Sequence, residues 1–185
     1  KGELHLGITE WGLAYLGAKG EEPFEQPFGD LRALFVTQEL SYYKAIVRKD
    51  FPADTLDELF EKKIPARLCT LARGSIAEFT WRQYFESRGV TWDDVSKEWG
   101  GRMNFVSWGD AVSLVKDGHA DGILAVATPR IGWAMELAAT RDMKILKWSE
   151  KDLEYMENQL SKGVEVLPGN TYEKITEDIR CPVDI

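Results

Sequence analysis

Arg73-Gly74-Ser75 stands directly before a helical pattern, and Glu78 follows the serine by three residues. That order can do two kinds of chemistry. A serine oxygen can accept one of the orphan N–H groups of a helix start while an acid three residues on reaches back to another, which is a plain cap. The same free N–H groups and the helix dipole can seat a carboxylate or phosphate. Gly74 would let the anion approach the backbone, Ser75 would add a hydroxyl, and Arg73 a charge-assisted fork. Both readings stand on local chemistry, and the cap has the advantage because Glu78 brings a negative charge of its own.

Constellations for catalysis are scarce. His5 and His119 have no Cys or His at metal-ligand spacing. His119 lies in Lys-Asp-Gly-His-Ala-Asp-Gly, a turn where a solvated histidine is expected. The chain has no GxSxG elbow, Walker A loop, GxGxxG or HExxH. No catalytic residue, metal or cofactor is expected. Two cysteines make no disulfide framework, and Cys69 reads as a small core residue within an apolar strand. Of the seven tryptophans, Trp81 falls with Tyr84, Phe85 and Ala77 at helical spacing, the signature of core packing. Trp11 and Trp108 instead follow strand patterns at strand-to-helix turns, where rings can pack at a rim or stack on a ligand.

The elements that must position these groups alternate. Strand-like runs occur at 4–8, 31–36, 42–48, 66–71, 103–107, 122–127 and 144–148, with helical patterns between most of them. Cap pairs appear at Thr55/Glu58, Ser75/Glu78, Thr91/Asp94 and Ser149/Asp152. Thr128-Pro129 suggests a further helix entry with proline at the first helical position. Residues 17–30 read as a surface loop, and a helix is expected from about Thr171. This order points to an α/β fold with a largely parallel sheet, whose strand-to-helix turns share one cleft. At 185 residues the chain can bury a substantial core, and its net charge of −8 argues against nucleic acid or an anionic membrane as partner. No run approaches the roughly 18 apolar residues of a membrane span. Both ends read as cut through a larger fold.

The order of segments resembles the TAXI-type extracytoplasmic solute receptors of tripartite ATP-independent periplasmic (TRAP) transporters. The segments that carry the resemblance are LHLGITEWGLAY, GAKGEEPFEQPF, LRALFV, YYKAIVRKD, TLDELFEKKIPARLCTLARGSIAEF, DAVSLVKDGHADGILAVATPRIGWAMEL and VLPGNTYEKITEDIRCPVDI. The resemblance implies a two-lobed, type II periplasmic-binding-protein-like α/β fold, with one lobe near complete and the other partial. Residues 1–36 would be part of lobe one, 37–148 lobe two, and 149–185 the return toward lobe one. It further implies a periplasmic or extracytoplasmic monomer that captures a small organic anion, an amino acid or other carboxylate, and delivers it to a TRAP membrane permease.

Carried over residue by residue, Gly74 and Ser75 match the first half of the family's Gly-Ser-Gly-Thr turn, while Ile76 and Ala77 replace its second glycine and its threonine. Arg73 stands where a small residue is common and would offer a substitute anion contact. Glu10 and Trp11 occupy a turn where small polar residues are usual, which points to a ligand with an apolar or aromatic portion. Tyr43 would form a second wall beside Trp11, and Thr128, Pro129 and Arg130 would face the cleft from the Pro-led helix. The rival readings are a receptor for an ATP-driven (ABC) importer and an enzyme on the same fold acting on a small acid.

Overall fold

The computed structural model describes Gly7, Thr9 and residues 11–35 and 39–184. The expected strand at 4–8, His5 and Glu10 lie outside the described residues, apart from Gly7. Fourteen elements follow one another: α1 (Trp11–Lys19), β1 (Ser41–Arg48), α2 (Leu56–Glu61), β2 (Arg67–Thr70), α3 (Ile76–Ser87), α4 (Trp92–Lys97), β3 (Arg102–Phe105), α5 (Trp108–Lys116), β4 (Gly122–Ala127), α6 (Gly132–Thr140), β5 (Met143–Ile145), α7 (Glu150–Leu160), β6 (Gly163–Leu167) and β7 (Ile179–Asp184). The fold is mixed α/β.

One seven-stranded sheet runs β3-β2-β4-β1-β7-β6, with β5 beside β1. It is less parallel than the strand–helix alternation suggests. Only β2 pairs in parallel, with β3 and β4; β1 runs antiparallel to β4, β5 and β7, and β6 to β7. The physical reason is connection length. Helices carry the chain back between β2, β3 and β4 as parallel crossovers require, whereas β1 is closed by segments that arrive from much later in the chain.

Local signals explain most helix starts. Thr55, Ser75, Thr91 and Ser149 each accept the N–H three residues on, and so does Ser107 at α5. The reciprocal half of the cap is present at α4, where Asp94 accepts from Thr91 N–H. Elsewhere the acid goes to another partner: Glu58 accepts from Asp54 N–H, Glu78 from Gly74 N–H, and Asp152 from the Tyr84 hydroxyl at 2.9 Å and Arg88 at 2.6 Å. Asp152 thereby ties the start of α7 to α3.

Four further expectations are corrected. Pro129 does not open a helix; it sits in a turn, and α6 starts later with Ile131 as its cap. No helix begins at Thr171, because Asn170 (φ 62°) and Lys174 (φ 66°) take left-handed backbone and make a tight turn closed by a Tyr172–Ile175 bridge. Residues 31–35 of the expected strand 31–36 form no strand and are exposed. The loop expected at 17–30 begins after α1 ends at Lys19.

The core on one face of the sheet is aromatic. Trp81, Tyr84 and Phe85 of α3 are fully buried, and Trp81 stacks on Trp148 with centroids 5.2 Å apart. Phe60 packs edge-on against Tyr84, Phe85 and Trp99. Cys69 and Cys181 are buried free thiols, pushed up by burial to about 11 and about 12. His119 is exposed. At the far edge, buried Asp121 accepts two hydrogen bonds from the Arg67 guanidinium and one from Arg48. Burial works against its charge, but these arginines outweigh burial and hold its carboxyl below the usual range.

Candidate functional site

The register of the sheet decides which loops meet. Parallel β2 and β3 end together at Thr70 and Phe105 and β4 runs on past them to Ala127, so the turns at 71–75, 106–107 and 128–131 emerge on the same side of the sheet. The antiparallel pairs Tyr42↔Ala127 and Ser41↔Asp184 bring the start of β1 and the end of β7 to that side, and Gly163↔Val183 adds the start of β6. Polar groups from six strands therefore converge where α/β sheets usually bind ligands.

The turn ahead of α3 is already furnished. Gly74 has φ 81° and open space around it, a backbone that favours glycine. Ser75 N–H donates to Ala72 O, and Ser75 Oγ accepts from Glu78 N–H. The buried Glu78 carboxylate accepts from Gly74 N–H at 3.1 Å and from Trp92 Nε1 at 2.9 Å. Cap and anion are both present here, and the anion is the protein's own. The N–H groups of Ile76 and Ala77 have no partner among the described residues. Arg73 is exposed and lies 4.3 Å over the Phe105 ring, on the β3 side of the turn.

On the other flank of Ser75 a cavity of about 660 Å³ opens between α1 and α3, floored by the end of α7. Its walls are apolar at Trp11, Leu13, Leu16 and Phe79, and polar at Thr80, Gln83, Gln159 and Lys162. Lys162 is buried and paired with Asp184 at 2.7 Å; the Tyr43 hydroxyl donates to the same carboxylate at 2.8 Å. Tyr43 is fully buried and its oxygen lies 3.3 Å from Thr80 Oγ1, so it stands behind the wall that Thr80 and Lys162 present and is not itself a wall.

Thr128, Pro129 and Arg130 line a separate cavity of about 560 Å³ on the opposite face, together with Tyr42, Thr171 and Glu39. Beneath it, Lys44 is fully buried, and its ammonium donates to Ala127 O, Thr128 O and the Tyr172 hydroxyl at 2.8–3.1 Å. Burial lowers its pKa to about 8.

The sequence-predicted residues thus fall in three places. Gly74 and Ser75 form the turn with Arg73 folded toward Phe105, Trp11 walls the cavity beside α3, and Thr128–Arg130 border the second cavity. Glu10 lies outside the described residues. Phe79, Thr80, Gln83 and Lys162 escaped the sequence reading. The first three do carry a signal: with Ile76 they form a 76-79-80-83 stripe along α3, opposite in phase to the buried Trp81–Tyr84–Phe85 side. Lys162 carries none, since only the long-range pairing of β6 with β7 brings it to the site.

Residues 1–181 match the model of the NMT1-like family. The chain belongs to the NMT1-like family. No curated protein matches it. Among solved structures, this NMT1-like chain is similar to the periplasmic aliphatic sulphonate binding protein SsuA of Escherichia coli, with 14% identity, a TM-score of 0.40, and 59% of this chain aligned to 36% of that one. It is similar to a periplasmic sulfonate-binding protein of Methylobacillus flagellatus KT, with 20% identity and a TM-score of 0.40, over 60% of this chain and 28% of that one. A periplasmic thiamin binding protein shares 19% identity at a TM-score of 0.43, over 68% and 41%. The NMT1-like chain therefore spans well under half the length of each. Among its described residues no helix is long and apolar enough to cross a membrane, and no group of three His, Cys, Asp or Glu is placed to hold a metal.

Proposed function

We propose that this chain is the capturing part of a two-lobed extracytoplasmic solute receptor, which binds a small organic anion and delivers it to a membrane permease of the TRAP type. The observation that carries the reading is the cavity of about 660 Å³ enclosed by α1, α3 and the end of α7, with Lys162 reaching it from the start of β6. Its size is that of a small-molecule site, and it offers apolar walls with a few fixed polar groups. The ordered TAXI-like segments supply the transporter part of the reading. Among the described residues, six of the eight exposed large hydrophobics, from Trp11 to Phe35, lie on the stretch before β1. That placement supports residues 1–36 as part of a first lobe, 37–148 as the second and 149–185 as the return. Closure would be a hinge motion that brings Trp11 and α3 together on the solute.

Thermal unfolding of the full chain against a panel of carboxylates and sulfonates tests the reading. A ligand at one hundred times Kd should stabilise the fold by about 2.7 kcal/mol, and it should be recovered chemically unchanged. A panel in which no organic anion raises the unfolding temperature would sink the receptor. Uptake of the identified ligand into vesicles bearing a TRAP permease, only when this protein is added, tests the partner.

A further inference from the structure

The cavity lining restricts the solute more than its shape does. Its charged member among the described residues is Lys162, already paired with Asp184. No carboxylate among the described residues lines it, and its apolar lining includes Trp11, Leu13, Leu16 and Phe79. Resting on the receptor reading above, we propose that the solute is a monoanion with an aromatic or branched apolar body and no ammonium group. An amino acid would bring an ammonium with no carboxylate among the described lining residues to receive it. A dicarboxylate would press its second charge against Trp11 or Phe79. Burying a charge without a partner costs far more than burying an apolar ring gains, so each extra charge selects against binding. The single anionic head belongs at the polar end formed by Thr80, Gln83 and Lys162, with the ring between Trp11 and Phe79.

Titration calorimetry on the full chain, with phenylacetate, indole-3-acetate and naphthalene-2-sulfonate against glutamate, malate and phenylalanine, decides the matter. The aryl monoanions should bind, carboxylate and sulfonate arms showing which head is preferred, and the other three should bind at least tenfold more weakly. Trp11 is 67% exposed, so Trp11→Ala should fold and should weaken the aryl acids about tenfold. Half-buried Gln83→Glu places a carboxylate in the lining; it should weaken the aryl acids about tenfold and admit phenethylamine, a gain that a merely structural lesion would not give. Glutamate or malate binding while aryl acids do not would overturn this inference and leave the receptor standing. Aryl binding indifferent to both substitutions would overturn the placement. Failure of every anion would remove the receptor reading itself.

Discussion

Glu78 shows how one side chain can serve two masters at the start of a helix. Its carboxylate takes Gly74 N–H and Trp92 Nε1–H and lies 3.4 Å from Arg82 Nε, so it fixes the turn and links α3 to α4. Glu78→Ala leaves the buried Trp92 Nε1–H without an acceptor, at about 1–3 kcal/mol, whereas the N–H of exposed Gly74 can turn to water. We expect a loss of about 1–3 kcal/mol in urea unfolding with the slope unchanged. Glu78→Gln keeps an acceptor and should lose about 1 kcal/mol. Removing the charge also frees the positive end of α3, an effect of about 0.3–1 kcal/mol on a nearby anion. The glutamine variant should therefore be less stable yet bind the cavity's anion two- to fivefold more tightly. A variant both less stable and weaker in binding would show that Glu78 only shapes the turn.

At the scale of elements, Lys44 ties the end of β4 to the Tyr172 turn before β7 with a cation that has three neutral acceptors. Its folded pKa of about 8 lies below the ordinary lysine value of 10.5, so the unfolded chain binds more protons between those two values. Stability then rises with pH across that window, by an order of about 3 kcal/mol when complete. Lys44→Met removes the group, so the wild-type stability minus that of the variant should grow between pH 8 and 10.5. Chemical unfolding at half-unit pH steps measures it, and a flat difference would mean that Lys44 keeps an ordinary pKa in the fold. Legibility divides along the same line. Ser75, Thr91 and Ser149 announce their helices because a cap is a contact three residues long. β6 and β7 are hidden because Gly163 and Pro182 interrupt the strand pattern, and long-range pairing with each other, and of β7 with β1, makes them strands. The Leu31–Phe35 run looks like a strand by composition yet is exposed, since apolar content without a partner makes no ladder. Around the cavity, the sequence singles out Trp11 by its place at the start of a helix, whereas the burial of Tyr43 and the arrival of Lys162 depend on β7.

For the whole molecule, the position of β1 sets the order of assembly. It sits in the middle of the sheet with β4 on one side and β7 and β5 sharing the other, and the Tyr43–Asp184 hydrogen bond spans 141 positions. Contacts that distant slow folding, because chain entropy is lost before they form. Pulsed hydrogen exchange during refolding should find the amides of β2 and β3 protected before those of β1, and simultaneous protection would contradict this order.

During synthesis the same strand leaves the ribosome before its partners and has both its edges bare until residues 122–145, and then 179–184, have followed. An apolar run such as Tyr42–Val47 with two open edges is what chaperones hold and what aggregates recruit. The sheet therefore stays open along β1 until β7, which follows every other described strand in the chain, has been made.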